Sequence, residues 1–128
     1  AGDLLTRAGV ADRCVSVGGD FFESVPAGGD AYVLGQILHD WDDRRSVTIL
    51  ERCRHAMAPG GRVLAVELVI PPGNEPFLGK LLDLHMLVLL GGRERMATEW
   101  SRLLSDNGFL LESITPGPRS SVIEAAPA

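Results

Sequence analysis

Apolar positions along the chain gather into blocks whose spacing changes from one block to the next. The first, DLLTRAG at 3–9, reads as the tail of a helix with Gly9 as its stop. RCVSVGGDFF then gives a short strand at Cys14–Val17 that runs into a glycine loop, and FFESVPAGGD is a loop broken by Pro26, Gly28 and Gly29. AYVLGQIL, residues 31–38, is a continuous apolar run, the pattern of a strand buried on both faces. Asp42 or Asp43 can cap a helix from about Arg44 to Ala58, with Val47, Leu50, Cys53 and Met57 as its apolar stripe and Pro59-Gly60-Gly61 as its end. RVLAVELVI, 62–70, reads as a second buried strand, stopped by Pro71-Pro72-Gly73. FLGKLLDLHMLVLL, 77–90, reads as a helix apolar nearly all round, which predicts burial in the core or in a subunit interface. Gly91-Gly92 breaks it. ATEWSRLLSDNG, 97–108, is an amphipathic helix with Asn107-Gly108 at its end. FLLESITP and SSVIEAAP close the chain as two strands joined through GPRS.

This order predicts an α/β fold, with a mostly parallel sheet and one antiparallel edge supplied by the terminal hairpin. In such sheets ligands bind beyond the carboxyl ends of the strands. Three loops follow predicted strand ends: GGDFF, HDWDD and the segment after Glu67. Polar groups concentrate in them, which points to one composite site.

Composition narrows the function. The 128 residues suffice for one modest domain. A net charge of -5 argues against nucleic acid as a partner. Cys14 and Cys53 lie far apart with no CxxC spacing, so neither a disulfide framework nor a zinc site is expected, and a reducing cytoplasm fits. The apolar run around Leu81–Leu90 is interrupted by Asp83 and His85 and falls short of a membrane span. The chain begins at Ala1 without Met or a signal segment, which sets the expectation that sequence is missing upstream.

His39 is the leading chemical candidate: a strand running into His-Asp-Trp-Asp-Asp either precedes an ordinary helix cap or places a proton-transferring imidazole at the mouth of a site. Glu67 stands inside an otherwise apolar strand, where a carboxylate is costly unless paired. His55 reads as surface, and no two histidines have metal-ligand spacing.

GGDFFESVP, ILHDWDD, CRHAMAPGGRVLAVE and GGRER, in this order and spacing, make the chain resemble the S-adenosylmethionine-dependent O-methyltransferases of plant caffeic acid type and of bacterial polyketide and antibiotic pathways. The resemblance runs from about Ala8 onward and implies a Rossmann-like methyltransferase fold, present in part. It implies S-adenosylmethionine as cofactor and a hydroxyl of an aromatic or polyketide-like small molecule as acceptor. His39 takes the place of the general base, flanked by Glu67 and Glu94. Asp20 and Phe21 match the adenine-contacting pair, with Gly19 in the same loop and Trp41 adding aromatic packing at the adenosine end or serving as a core residue. Gly35 stands where plant enzymes often carry lysine, so only its backbone can contribute to the cofactor site. Asp83, His85 and Met86 lie on the helix that lines the acceptor pocket in the family, although a lone histidine on an apolar helix is more often a core residue. Asp40 is expected to orient neighbouring groups, Asp42 and Asp43 to be caps or surface, and Thr98 to cap its helix where Met96 replaces the family's threonine.

The family's N-terminal dimerisation domain, its glycine-rich cofactor loop and its ribose-binding acid find no match here. The chain is thus expected to be the C-terminal part of a catalytic domain whose full-length parent is a homodimer. The family's strand order is 3-2-1-4-5-7-6, so the segment at Cys14–Val17 should lack a neighbour and Ala1–Pro26 should be displaced. A truncated, non-catalytic fragment, and a relative using the cofactor in hydroxylation or decarboxylation, are the alternatives. A nicotinamide-dependent dehydrogenase is weaker, since no dinucleotide fingerprint is present.

Overall fold

The computed structural model describes residues 2–128; Ala1 lies outside the described residues. Helix α1 (Gly2–Arg7) ends where Gly9 adopts φ 67°, the left-handed conformation that glycine tolerates best, and Val10 N donates back to Leu5 O at 3.1 Å. No strand forms at Cys14–Val17. Val15 is 89% exposed, and the backbone there finds no sheet partner among the described residues. The predicted strand is therefore absent for the reason anticipated: an isolated strand has no ladder to complete.

The main sheet has the order β1-β2-β6-β5, from β1 (Gly29–Gly35), β2 (Met57–Glu67), β5 (Phe109–Pro116) and β6 (Ser121–Pro127). β1 and β2 are parallel; β6 runs antiparallel to both β2 and β5. The order equals the 4-5-7-6 part of the expected family sheet. Helix α2 (Asp43–Ala56) makes the crossover from β1 to β2, and helix α4 (Ala97–Ser105) leads into the terminal hairpin. Ile49, Leu50 and Cys53 of α2 and Trp100, Leu103 and Leu104 of α4 join Val63, Ala65, Ile123 and Ala125 of the sheet in one buried cluster. Both helices thus cover the same face.

The other face is open, and this corrects two readings. β2 buries every second residue from Gly61 to Glu67 and leaves those between half-exposed. β1 lies at the sheet edge with Val33 63% exposed. An unbroken apolar run does not reveal that one face lacks a covering layer. β1 also stops at Gly35, because Gln36 turns the chain at φ 56° into a 3₁₀ turn over Leu38–Asp40.

The second predicted strand splits after Glu67. β3 (Val69–Ile70) leaves the sheet and pairs in parallel with β4 (Arg95–Met96). Helix α3 (Leu78–Leu90) lies between them in sequence. It is not buried in this chain's core: Leu81, Leu84, Leu87 and Val88 are all more than half exposed. Thr98 does not cap α4; the Glu99 carboxylate accepts from Met96 N at 2.8 Å instead. No helix among the described residues is long and apolar enough to cross a membrane.

Candidate active site

Glu67 is the last residue of β2 and is fully buried. Its burial is compensated. Oε1 accepts from Ile37 N at 3.0 Å and Leu38 N at 2.8 Å, the free N–H groups that open the 3₁₀ turn. Oε2 lies 2.7 Å from His39 Nδ1. One carboxylate therefore fixes the turn and the imidazole on it, and selects the tautomer with the proton on Nδ1. His39 Nε2 is left facing Asp40 Oδ1 at 3.2 Å, an ion pair when the ring is protonated.

Glu94 reaches the same imidazole from the segment before β4, with Oε1 4.0 Å from Nδ1. It is buried, and its Oε2 has no hydrogen-bond partner among the described residues. Its backbone N–H donates to Asp83 Oδ1 at 2.7 Å, which ties the glutamate to α3. The hydrogen bond to Glu67 raises the His39 pKa above its ordinary value; burial opposes this, and the charges of Glu67, Glu94 and Asp40 add to it. Burial raises the Glu94 pKa; the His39 and Arg95 charges pull it down, while Glu67 and Asp83 push it up. A buried imidazole hydrogen-bonded to one carboxylate, with a second beside it, is suited to taking a proton from a bound molecule and holding it. His39, Glu67 and Glu94 also offer ligand atoms within 4.8 Å of one another, but a cation among them would have to displace the Glu67–His39 hydrogen bond.

The other predicted residues fall in three groups. Gly19 and Phe21 line a pocket of about 390 Å³ with Val17, Gly18, Ser24 and Val25. Phe21 and Phe22 meet Trp41 edge-on, at 6.3 and 4.9 Å between ring centroids, and the Arg45 guanidinium sits 5.0 Å over the Trp41 ring. Asp20 stands at the same loop; Oδ1 accepts from Phe22 N at 2.8 Å. Gly35 is exposed at the end of β1, and a side chain built there meets nothing within 4 Å. On α3, Asp83 is half-buried and turned to Glu94, and Met86 is half-buried. His85 is exposed, so it is not the core residue its apolar helix suggested.

Three residues that hold the site escaped the sequence reading. Arg95 is 1% exposed and hydrogen-bonds around the His39 turn. Asp43, read as cap or surface, is its ion-pair partner at 2.8 Å, while Asp42 caps α2. Gly92 packs so closely that a Cβ there would lie 2.0 Å from His39 O. The available signal was the alternation in RER: Arg93 and Arg95 both reach Asp43, whereas Glu94 between them approaches His39.

A family model described as O-methyltransferase domain matches residues 2–110. The chain is 57% identical over 128 residues to phenazine O-methyltransferase PhzM of Lysobacter antibioticus, covering 99% of this chain and 38% of that protein. The crystal structure of LaPhzM superposes with a TM-score of 0.92 at 56% identity, over 99% of this chain and 39% of that one. The O-methyltransferase NcsB1 from neocarzinostatin biosynthesis, solved with S-adenosylmethionine and 2-hydroxy-5-methyl naphthoic acid, matches at TM-score 0.88 and 36% identity, over 98% of this chain and 37% of that one. The chain thus spans about two fifths of the length of these relatives.

Proposed function

The chain belongs to the O-methyltransferase family, and from that membership we propose that the protein carrying it transfers a methyl group from S-adenosylmethionine to a hydroxyl of an aromatic or polyketide-like small molecule. The observation that carries the reading is the buried His39–Glu67 pair, 2.7 Å apart, with Glu94 beside it.

The bound cofactor supplies an electrophilic methyl group. A hydroxyl attacks it well only as it loses its proton, and the work of this chain is to take that proton. Nδ1 donates to Glu67, so Nε2 is the nitrogen that accepts it. The imidazolium that results has the Glu67 carboxylate at one nitrogen and Asp40 at the other. Glu94 adds negative potential on the Nδ1 side. Beyond proton transfer, the contribution is alignment.

The residues near the Phe21 pocket fit the adenosine end of the cofactor. Gly18 and Gly19 open the backbone, Phe21 and Trp41 offer aromatic surface, and the second oxygen of Asp20 can accept from an exocyclic amine. Gly35 contributes backbone at most. Asp83, His85 and Met86 are assigned to the acceptor side, Asp83 acting through Glu94. The chain spans about two fifths of the relatives' length, which supports its reading as one part of a longer polypeptide. The motif resemblance, rather than that share, makes it the C-terminal part of a catalytic domain that in full carries the dimerisation domain and glycine-rich cofactor loop and works as a cytoplasmic homodimer.

Calorimetric titration with S-adenosylmethionine and S-adenosylhomocysteine tests the cofactor half. The full-length polypeptide is expected to bind both, and Phe21→Ala to weaken both by about tenfold, the scale of one lost aromatic contact. No binding to the full-length polypeptide would overturn the reading.

A further inference from the structure

The backbone of the His39 turn is held from two sides. Glu67 takes its N–H groups. Its carbonyls are taken by the segment that carries Glu94: Arg95 Nη1 donates to Leu38 O at 2.9 Å, Arg93 N to His39 O at 2.9 Å, and Arg95 Nη2 to Trp41 O at 3.1 Å. The guanidinium is anchored in turn to the start of α2, through Asp43 Oδ1 at 2.8 Å and Ser46 Oγ at 3.1 Å, and lies over the Trp100 ring at 5.4 Å. Ser46 itself donates to Leu38 O at 3.3 Å. Gly92 permits the approach by leaving no Cβ against His39 O.

A buried arginine is costly unless its planar fork is filled. Here every hydrogen-bond partner belongs either to the His39 turn, to the start of the following helix, or to the segment bearing Glu94. We infer that Arg95 is a positioning residue for proton transfer, holding His39 Nδ1 against Glu67 and Glu94 without touching cofactor or acceptor. The inference rests on the assignment of His39 as the base.

Lysine keeps the charge but cannot span Leu38 O, Trp41 O and Asp43 together. In the full-length polypeptide Arg95→Lys is expected to lower kcat about tenfold to a hundredfold, the scale of a misplacement near 1 Å, with KM for cofactor and acceptor unchanged. The acidic limb of the pH–rate profile should move to lower pH as the Nδ1–Glu67 contact loosens. The charged groups facing His39 are Glu67 on β2, Glu94 before β4 and Asp40 on its own turn, with Asp83 of α3 and Arg95 behind Glu94; all but Arg95 remain in the variant. Added guanidinium should recover part of the activity of Arg95→Ala. Should Arg95→Ala fail to fold, Asp43→Asn and Ser46→Ala each remove one anchor and should shift His39 in the same direction, less far.

Imidazole NMR reads His39 directly, without catalysis. If wild type transfers methyl groups and the His39 titration and pH–rate profile of the Arg95 variants match wild type while only their Tm falls, the arginine is merely structural and the inference fails alone. If wild type transfers no methyl group but the Arg95 variants shift the His39 titration, the functional assignment fails and the positioning stands.

Discussion

His39 Nδ1 lies 2.7 Å from Glu67 Oε2, while Oε1 of the same carboxylate holds the backbone N–H groups of Ile37 and Leu38. Glu67→Gln keeps the shape but removes the carboxylate whose hydrogen bond, and then whose charge, raises the His39 pKa. Because the base must be deprotonated to act, wild-type kcat/KM should rise with pH through a value above the ordinary imidazole 6.5. In Glu67→Gln this limb should move to lower pH and kcat should fall about a hundredfold. A pH–rate series on the two proteins measures both effects.

Glu94→Gln should move the same limb in the same direction, but less. Its oxygen is 4.0 Å from Nδ1 rather than 2.7 Å, and it contributes charge without a hydrogen bond. Equal shifts in the two variants would mean that Glu94 interacts with the ring more closely than this geometry allows.

Stability should fall as pH rises through the range in which the cluster titrates. His39 holds its proton more tightly folded than unfolded, so its contribution is fully present below about 6.5 and is lost as pH rises through its higher folded value. Glu94 is also raised: the cost of ionising it is absent below 4.5 and complete above its folded value. Both slopes have one sign. Thermal melts of wild type and His39→Gln from about pH 5 to about pH 8 should show the flatter dependence in the variant.

Gly92→Ala drives a methyl group against the His39 and Asp40 backbone, whose atoms are the nearest ones and include no flexible side chain that could yield. A loss of about 1–3 kcal/mol or more is expected from denaturant unfolding, together with reduced activity. Gly35→Ala meets no atom within 4 Å and should leave stability nearly unchanged.

Cys14 is exposed, whereas Cys53 is fully buried against α2's core neighbours and its thiol is pushed up to about 11 by burial. Of these two thiols, a reagent at neutral pH should modify Cys14 in the folded protein and Cys53 only after unfolding, as mass mapping of the labelled residues would show.

Much of this arrangement was legible in the residues, and the failures share a cause. The Asp42-capped helix, the terminal hairpin and the His39–Glu67–Glu94 grouping followed from local caps, alternation and motif resemblance. The apolar pattern at Cys14–Val17 reads as a strand because propensity cannot report a missing neighbour; only the family's strand order showed that it would have none. The exposure of α3, β1 and one face of β2 was hidden for the same reason: Leu81 or Val33 reads as core whether or not anything covers it. Arg95 was missed because a cation beside a glycine pair resembles ordinary loop surface, and only the folded backbone brings the Leu38 and Trp41 carbonyls and Asp43 around it.

The most direct test of the account is methyl transfer by the full-length polypeptide and its His39→Ala variant. Methyl-labelled S-adenosylmethionine and a panel of hydroxylated aromatic acceptors serve as substrates, with cofactor affinity measured in parallel. The predicted result is transfer to a hydroxyl by wild type, a loss of about 10²-fold to 10⁴-fold in His39→Ala, and unchanged cofactor binding. Wild-type rates in His39→Ala at unchanged cofactor affinity would contradict it.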